Sequence, residues 1–342
     1  MMPLSRRESV LDQETKIALL RQPQTYPEKP ARVEAVETHM SWVFLTPHDA
    51  FKLKKTVRYE YLDFSTLAAR KKSCEEEMRL NQRLAPGVYR GLVALTMNAR
   101  GEMQIEGQGE VVDWLVKMRR LPAERMLDHL IRHQALEPVE LHTVAERLAH
   151  FYRERTPQKI SGEEYRRQYE HYLRANHEAL ANPLFELPAA LVEFVHGAQW
   201  KFLRSTPALF DRRAAEGRII EGHGDLRPEH VCMESPPVIF DCLEFNRIFR
   251  IIDAADELAF LSMECERLGA PQVEQELFQA YRRITGDHPP PPLVYFYKAY
   301  RASLRARLAI WHLRDLERSV WPRWRAVAVE YLRLAESYGG KF

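Results

Sequence analysis

Short stretches of the first 120 residues alternate polar and apolar side chains. A period of two is typical of strands that bury one face. The predicted elements, in order, are a short amphipathic helix at 10–20, a linker that ends at Pro30, strands at 32–37, 42–45 and 50–54, a helix at 66–84, and strands at 91–97, 103–106 and 111–118. The pattern therefore predicts a small β-rich lobe over 31–120, preceded by an N-terminal helix and linker at 1–30.

Beyond Pro122 the apolar residues recur every three or four positions, which is the spacing of helices with one buried face. One interval departs from this pattern, because 219–245 contains two short apolar runs around Pro236-Pro237 and so predicts a β-hairpin at 231–241. Helices are predicted at 139–155, 163–180, 189–203, 207–217, 253–269, 272–285 and 293–338. The sequence predicts an α+β fold of two lobes, the second being helical and spanning 121–342.

Composition narrows the classes of protein to consider. The net charge of +2, from 50 basic and 48 acidic side chains, lacks the basic excess of nucleic-acid-binding surfaces. The four cysteines have no metal-ligand spacing, no apolar run approaches the ~20 residues of a membrane span, and the N-terminus has no signal-peptide pattern. We therefore expect a cytoplasmic protein without a membrane or nucleic-acid partner, and the composition leaves the oligomeric state open.

The densest indication of chemistry is the segment Gly222–Val231. His223 and Asp225 lie two residues apart on a predicted loop before a short strand. A carboxylate placed in this way can receive the proton of a hydroxyl group. Asp241 follows the apolar run 238–240, where its carboxylate could bind a magnesium ion together with phosphates. The alternatives without chemistry are a loop turn at 223–225 and a strand-end cap at Asp241.

These segments resemble a known superfamily. His223-Gly-Asp-Leu-Arg-Pro-Glu-His230 resembles the H-G-D-x-x-x-x-N catalytic loop of the aminoglycoside phosphotransferases and choline kinases, and is similar to the loop of protein kinases. Ile239-Phe-Asp-Cys-Leu-Glu244 resembles the metal-binding segment of that superfamily, and 253–259 resembles the start of the helix that follows. The resemblance covers roughly 32–265 and implies a protein-kinase-like bilobal fold, with ATP and Mg²⁺ as cofactors.

Further segments are similar to an uncharacterised bacterial subgroup of this superfamily. Some members of the subgroup carry an additional P-loop kinase domain. No GxxxxGK[ST] motif occurs in this chain, so we expect that domain to be absent. The matching segments are 42–45, 51–55, 62–67, 74–77, 85–86 and 241–246.

The resemblance also implies roles for the second-lobe residues. Asp225 is expected to be the catalytic base or hydroxyl-orienting residue, with His223 holding the loop. Arg227 stands where Ser/Thr protein kinases place a lysine near the transferred phosphate, although it could equally be a surface arginine. Asp241 is expected to be the chief magnesium ligand. His230 stands in the place of the asparagine that serves as second metal ligand and is expected to be the second ligand here, although a neutral imidazole is a poorer ligand for Mg²⁺ than an amide oxygen. The alternatives are a loosely held metal, compensation by Glu229, Glu244 or Asn246, a slow or inactive enzyme, and a buried structural role for His230.

In the first lobe the resemblance implies a nucleotide site. Lys52, or secondarily Lys54 on the same strand face, would pair with the α- and β-phosphates, and Glu77 would fix that lysine. A solvated acidic face at 75–77 is the alternative for Glu77. Ser41 closes the expected phosphate-covering turn at 38–41, which lacks glycine. The backbone of Lys117, Met118 and Arg119 would meet adenine.

The predicted function is transfer of the γ-phosphate of ATP to a hydroxyl of a small molecule. His230 and the missing glycine loop leave open a nucleotide-binding pseudokinase or regulatory module, and a kinase acting on a protein side chain is a third reading. The aromatic helix 295–311, with Arg301, Arg305 and Arg307, is either core or an acceptor pocket. As a pocket it would suit an acidic acceptor better than a cationic one.

Overall fold

The computed structural model describes residues 13–59, 61–311, 313 and 317–342; positions 10–12 of the first predicted helix lie outside them. The helices are α1 Gln13–Leu20, α2 Leu67–Asn81, α3 Leu127–Arg132, α4 Pro138–Arg153, α5 Gly162–Leu180, α6 Ala189–Ser205, α7 Pro207–Ala215, α8 Ala254–Arg267, α9 Val273–Thr285, α10 Pro291–Trp311 and α11 Trp321–Gly339. The strands are β1 Glu34–Glu37, β2 Ser41–Leu45, β3 Asp49–Lys54, β4 Arg58–Tyr59, β5 Leu62–Asp63, β6 Tyr89–Met97, β7 Met103–Ile105, β8 Glu110–Arg119, β9 Ile219–Glu221, β10 Val231–Cys232, β11 Val238–Ile239 and β12 Ile251–Asp253.

The chain divides into two compact units. The first comprises residues up to Arg125 together with Val238–Arg247, and the second comprises Met126–Pro237 and Ile248–Phe342. The sequence pattern placed everything after residue 121 in one lobe, whereas the contacts of the segment Val238–Arg247 group it with the first unit. A single segment of ten residues therefore belongs to a different body from its neighbours in sequence.

The first unit is built on an antiparallel sheet with the strand order β1-β2-β3-β8-β6-β7. On β3 the period of two places Phe51 and Leu53 in a hydrophobic cluster that also contains Leu20 and Tyr26 of the N-terminal segment. Lys52 and Lys54 consequently lie on the opposite face, and every residue of this strand is buried. Because Phe51 and Leu53 pack in this cluster, Lys52 and Lys54 are kept buried on the other face of the strand.

Helix α2 has an N-terminal cap and carries polar residues on its buried face. The Thr66 hydroxyl accepts the Ala69 N–H at 3.2 Å, which satisfies one of the free amides of the first turn. Arg70 and Glu77 lie seven residues apart on the buried face. Arg70 makes two hydrogen bonds to Asp113 of β8, at 2.9 and 3.0 Å, and Lys16 of α1 binds the same carboxylate at 2.6 Å. This buried triad ties α1 and α2 to the sheet.

The second unit is mainly helical, with a short antiparallel pair formed by β9 and β12. An extended apolar cluster joins α6, α8, α10 and α11. A buried ion network lies beside β12: Arg213 donates to both carboxylate oxygens of Asp253, at 2.7 Å each, and also binds Asp287. Asp253 in turn caps α8, because its side chain accepts the Ala255 N–H at 2.8 Å.

The α+β class predicted from the sequence is confirmed, and most predicted elements occur within a few residues of their expected bounds. The β4–β5 hairpin, α3 and the β9–β12 pair were not anticipated, since each is only two to six residues long and too short for a periodic signal. The predicted helix 293–338 is instead two helices, α10 and α11. Among the residues described, no helix combines the length and apolarity needed to cross a membrane.

Candidate active site

The predicted site residues form two clusters, one in each unit. In the first unit, Lys52 Nζ donates to Glu77 Oε1 at 2.8 Å and to Asp241 Oδ1 at 2.6 Å. These three residues come from β3, α2 and the segment that follows β11. The lysine and the glutamate chosen from the sequence are therefore in direct contact, and the expected metal ligand lies on the same lysine.

Lys54 forms a second set of ion pairs beside those of Lys52. Its Nζ binds both Glu77 and Glu244, and its side chain is 1% exposed. Glu77 consequently receives one lysine on each carboxylate oxygen. Lys54 is the more deeply buried of the two lysines and has no contact with Asp241 among its described ion pairs. The geometry thus separates Lys52, which reaches Asp241, from Lys54, which is enclosed.

Electrostatics keeps this cluster ionised. Burial by itself would lower the pKa of Lys52, but the carboxylates of Asp241 and Glu77 outweigh it and hold the pKa well above its usual value. For Glu77 burial acts in the opposite direction, and Lys52 and Lys54 together bring its pKa below the usual value. Both partners of the central ion pair are therefore charged across the neutral range.

The segment that carries Asp241 is fixed to the first unit by its backbone. The Asp241 N–H donates to the Tyr89 hydroxyl at 3.2 Å, and the Cys242 N–H donates to Asn81 Oδ1 at 2.9 Å. Asp241 adopts a left-handed backbone with φ of 60°, which aspartate tolerates better than most residues. Its side chain remains 37% exposed. The carboxylate is thus positioned by backbone contacts and remains accessible.

The turn before β2 is closed without glycine. The Thr38 N–H donates to the Ser41 carbonyl at 2.8 Å, and the Ser41 N–H donates to the Thr38 hydroxyl at 3.0 Å. Ser41 is fully buried, pairs with Lys54 across β2 and β3, and its hydroxyl has no hydrogen-bond partner among the residues described. A phosphate contact of Ser41 remains a prediction, and it requires that hydroxyl to become accessible.

The expected adenine-binding backbone lies inside the sheet. Lys117 is paired with Phe51 on one side and with Gly91 on the other, while Met118 lies between β3 and β6 in the same way. The Arg119 N–H donates to the Val88 carbonyl at 2.8 Å. Lys117 and Met118 are thus paired within the sheet at the end of β8, and the adenine contact of 117–119 stays a prediction.

In the second unit the loop that bears Asp225 is held from behind by a buried glutamate. Glu257 Oε1 accepts the N–H groups of His223 and Gly224, both at 2.7 Å, and Oε2 accepts the Tyr152 hydroxyl at 2.9 Å. Burial raises the pKa of Glu257, and these donors partly oppose the shift. A Cβ at Gly222 would come within 2.8 Å of the same carboxylate, so the close approach requires glycine there.

Asp225 is the best-placed carboxylate for catalysis in this loop. Its N–H donates to His223 Nδ1 at 3.3 Å, and its Oδ2 accepts a hydrogen bond from Arg227 at 3.1 Å. Burial opposes ionisation, but the charge of Arg227, with smaller contributions from His230 and Arg305, brings the pKa of Asp225 below its usual value. The side chain is 30% exposed, so an ionised oxygen is accessible to a substrate hydroxyl.

His230 makes contacts within the loop. Its Nδ1 bonds the Asp225 carbonyl at 2.8 Å, and its Nε2 lies 3.2 Å from Arg227 Nη2. A carbonyl can only accept and an arginine can only donate, so the neutral tautomer with the proton on Nδ1 satisfies both contacts. A metal ion would have to displace Arg227 from Nε2. The geometry therefore favours a positioning role for His230 over metal binding.

The variant His230→Asn tests that role. We expect it to lower the transfer rate by about threefold to tenfold, because the shorter amide loses one of the two contacts that hold Asp225 and Arg227. The magnesium concentration that gives half of the maximal rate should stay unchanged, since residue 230 holds no metal in this arrangement. Steady-state kinetics over a magnesium series measures both quantities. A clear fall in the magnesium requirement would instead identify position 230 as a metal ligand.

The residues that could hold Mg²⁺ are carboxylates of the first unit. Within residues 13–59, 61–311, 313 and 317–342, no group of three or more His, Cys, Asp or Glu is arranged to bind a metal ion. Magnesium usually takes one or two carboxylates plus water and substrate phosphates, so a complete protein cage is not required. Asp241 supplies a hard, accessible oxygen that fits this chemistry. Glu244 is 7% exposed and bound to Lys54.

Two of the three arginines singled out on α10, Arg301 and Arg305, form ion pairs. Arg301 donates to both oxygens of Asp256, at 2.7 and 2.8 Å, and is buried. Arg305 lies 3.1 Å from Glu264 and close enough to Asp225 to influence its charge. The Arg307 guanidinium lies 5.6 Å from the centre of the Trp311 ring. Arg301 therefore belongs to the core, and Arg305 acts electrostatically on Asp225.

A curled antiparallel sheet with one packed helix, followed by a helical unit with an H-x-D loop, defines the protein-kinase-like fold. The chain shares this fold with solved aminoglycoside phosphotransferases and choline kinases, which confirms the superfamily resemblance at the level of the fold. Wild-type aminoglycoside 2'-phosphotransferase-IIIa in complex with GDP is 14% identical, with a TM-score of 0.52 over 97% of this chain and 100% of that one. A mutant of it, also with GDP, reaches a TM-score of 0.58 at 13% identity, over 94% and 97% of the two chains.

The choline kinase of Cryptosporidium parvum Iowa II is 10% identical, with a TM-score of 0.53 over 96% of this chain and 94% of that one. In sequence, the chain is 31% identical over 289 residues to the uncharacterized protein Rv2004c of Mycobacterium tuberculosis and, equally, to Mb2027c of Mycobacterium bovis. These matches cover 81% of this chain and 54% of each relative, so the chain spans about half their length. No protein-family model matches the chain.

Sequence reasoning missed several residues that build the site. Tyr89 and Asn81 hold the backbone at Asp241 and Cys242, and Glu257 holds the catalytic loop. Their partners are backbone amides distant in sequence, which no local motif reveals. Glu244 was named from the sequence as a possible compensating metal ligand, whereas its ion pair with Lys54 was not foreseen.

Proposed function

We propose that this chain is an ATP- and magnesium-dependent phosphotransferase that moves the γ-phosphate to a hydroxyl of a small molecule. The observation that carries the proposal is the simultaneous contact of Lys52 with Glu77 and Asp241. A lysine held between two carboxylates keeps its charge and its position after burial. Both properties are needed to bind nucleotide phosphates in a fixed geometry.

Phosphoryl transfer requires positioning and charge stabilisation more than covalent chemistry. In the proposal Lys52 binds the nucleotide phosphates, and Glu77 prevents its side chain from adopting other rotamers. Asp241 would hold Mg²⁺, which when bound neutralises charge on the phosphate oxygens. Lys52 Nζ would then exchange its contact with Asp241 for one with phosphate, while Glu77 retains the lysine.

Asp225 would act on the acceptor. Its depressed pKa makes it a weak base, so its main contribution is to accept a hydrogen bond from the acceptor hydroxyl and orient it. The proton leaves the hydroxyl late, as the new bond to phosphorus forms. Arg227, bonded to Asp225, supplies a fixed positive charge near the place where that hydroxyl is held.

A second candidate is a nucleotide-binding module that does not transfer phosphate. The absence of glycine from the turn 38–41 favours it, because a side chain at each position restricts how closely the backbone can approach a phosphate. In that case Lys52, Glu77 and Asp241 would serve binding, and Asp225 would be dispensable. A kinase acting on a protein side chain would use the same residues as the first candidate.

The deciding experiment uses the purified chain with Mg²⁺ and ATP. Sugars, polyols, amino alcohols and aminoglycosides are screened for phosphate transfer, and slow hydrolysis of ATP is measured without an acceptor. GTP is tested beside ATP because one structurally similar enzyme was solved with GDP. Transfer or hydrolysis that depends on Asp225 supports an enzyme. Nucleotide binding without either would favour the module.

The variant Asp241→Ala tests the metal assignment. We expect thermal stabilisation by magnesium-ATP to disappear, because the metal and its phosphates lose their carboxylate ligand. The variant should still fold, since Lys52 keeps Glu77 as a partner. Differential scanning fluorimetry with and without nucleotide measures the effect, and Glu75→Ala, at an exposed position of α2, is the matched control. Undiminished stabilisation in Asp241→Ala would remove this residue from the metal site.

A further inference from the structure

A polar cavity lies in the second unit, away from the residues of the proposed active site. Its volume is about 250 Å³. It is bordered by the C-terminal ends of α4, α7 and α9 and by the start of α8. Its walls include Tyr152 and Tyr281, whose hydroxyls are bonded to Glu257 and Asp287 respectively. The tyrosines therefore close the floor, and charged residues provide the rest of the polar lining.

The charges that line the cavity are predominantly positive. Arg153, Arg155 and Arg218 contribute three guanidinium groups, against one carboxylate from Glu216. Glu216 is 45% exposed and lies 3.6 Å from Arg218, so it is a partly solvated partner. An accumulation of arginines around a concave polar space is the usual environment of a bound phosphate or carboxylate, because the planar fork of arginine matches two oxygens of the ligand.

Helix capping does not account for these arginines. The carbonyl groups at the end of α4 are capped by backbone, since the Glu154 N–H donates to His150 O at 3.1 Å and the Arg155 N–H to Tyr152 O at 3.2 Å. The end of α7 is capped in the same way by the N–H groups of Gly217 and Arg218. Of the three side chains, Arg153 contacts the His150 ring at 3.0 Å and the Arg155 guanidinium lies 4.7 Å from the centre of the Phe151 ring, so the case for a ligand rests on Arg218.

The Arg218 guanidinium has an N–H group without an acceptor among the residues described. Its Nε is buried and makes no hydrogen bond with any residue that the structure describes; the nearest carboxylates, of Glu216 and Asp287, lie at 3.6 and 3.7 Å. Asp287 already accepts hydrogen bonds from Arg213 and Tyr281. A buried guanidinium N–H without an acceptor is costly, and an oxyanion in the cavity would supply one.

From these observations we propose that the cavity bordered by Arg153, Arg155 and Arg218 binds a small oxyanion, namely the phosphate or carboxylate group of a metabolite. The site is also connected to the catalytic loop. Tyr152 lines the cavity and donates to Glu257, which holds the His223 and Gly224 amides. A bound anion would restrain Tyr152 and so stabilise the loop; this effect on transfer rests on the proposed function, whereas binding itself does not.

Isothermal titration calorimetry with inorganic phosphate, pyrophosphate and malonate, at constant ionic strength set by chloride, tests the site. We expect saturable binding in the wild type and in Lys52→Met, which lacks the proposed nucleotide lysine. Arg218→Gln should weaken binding at least tenfold, and Arg218→Lys, which keeps the charge but not the fork, should give an intermediate affinity. The relative affinities of phosphate and malonate distinguish the two sources of the oxyanion.

Arg174→Gln, at an exposed position of α5, is the charge-matched control and should bind as the wild type does. A melting temperature within a few degrees of the wild type shows that Arg218→Gln is folded, and Arg155→Gln provides a second variant if it is not. Loss of binding in Lys52→Met, equal binding by Arg218→Gln and wild type, or no binding above chloride would each overturn the proposal. Because the titration needs no turnover, its outcome is independent of whether the chain transfers phosphate.

Discussion

Asp225→Asn is expected to reduce phosphate transfer by about 100-fold or more, with little change in the Michaelis constant for ATP. An amide cannot accept the hydroxyl proton and is a weaker hydrogen-bond acceptor than a carboxylate, so the acceptor loses both orientation and activation. The nucleotide is held by residues of the first unit in the proposal, so its binding should persist. Initial rates of transfer or hydrolysis, measured across ATP concentrations, separate the two constants.

The pH dependence of stability provides a control for Asp225→Asn. The folded-state pKa of Asp225 lies below the unfolded value of about 3.9, so its carboxylate stabilises the fold above that pH. This contribution is lost as the pH falls through the folded-state pKa. The melting temperatures of wild type and variant should therefore differ most at neutral pH and converge in acid. Unchanged catalysis in a folded Asp225→Asn would contradict the assignment of this residue as catalytic.

Lys54→Met is expected to destabilise the fold by about 3 kcal/mol or more. The substitution removes the partner of Glu244 and one of the two lysines on Glu77, and leaves carboxylates buried with too little positive charge. Methionine has a similar length, so the loss is electrostatic rather than a packing defect. Urea denaturation followed by tryptophan fluorescence measures the free energy of unfolding and its dependence on denaturant.

Lys55→Met is the matched control for this variant. Lys55 is the next residue in the chain, and its ion pair is with the half-exposed Glu37. Its removal should cost less than about 1 kcal/mol, because exposed ion pairs contribute little. A large loss in Lys54→Met beside a small one in Lys55→Met would assign Lys54 to stability. A stable Lys54→Met that no longer binds nucleotide would instead assign Lys54 to nucleotide binding.

The pairing of Lys52 with Glu77 was implied by the family resemblance, and periodicity only narrowed which lysine and which glutamate could face each other. Lys52 shares its strand face with Lys54, and Glu77 lies on the helix face that contains Asn81. The sequence ranked Lys52 before Lys54, but only the fold shows that Asp241 reaches Lys52 and Glu244 reaches Lys54. A contact between residues 189 positions apart has no local signature.

The position of His230 shows where motif comparison is limited. A motif says which residue occupies the place of the asparagine, but not where its side chain points. The ring is turned into the loop by the Asp225 carbonyl and Arg227, contacts that depend on backbone geometry. The end of strand β8 is a related case: the pattern predicted a strand at 111–118, whereas β8 runs from Glu110 to Arg119, and the adenine contact expected at 117–119 stays a prediction. The length of an alternating polar and apolar pattern does not determine the residue at which a strand ends.

The discontinuity of the first unit has a consequence for biosynthesis. Strand β3 and helix α2 leave the ribosome long before Asp241 and Glu244, the carboxylates that complete the environment of the two buried lysines. While residues 126–237 are translated, the nascent β-rich unit therefore has an excess of positive charge in its interior. Its final folding step is delayed until Val238–Arg247 emerges, although N-terminal domains commonly fold first. Until Val238–Arg247 is synthesised, Glu77 is the one partner available among the described ion pairs of Lys54, so we expect the ammonium group of Lys54 to stay hydrated during that time.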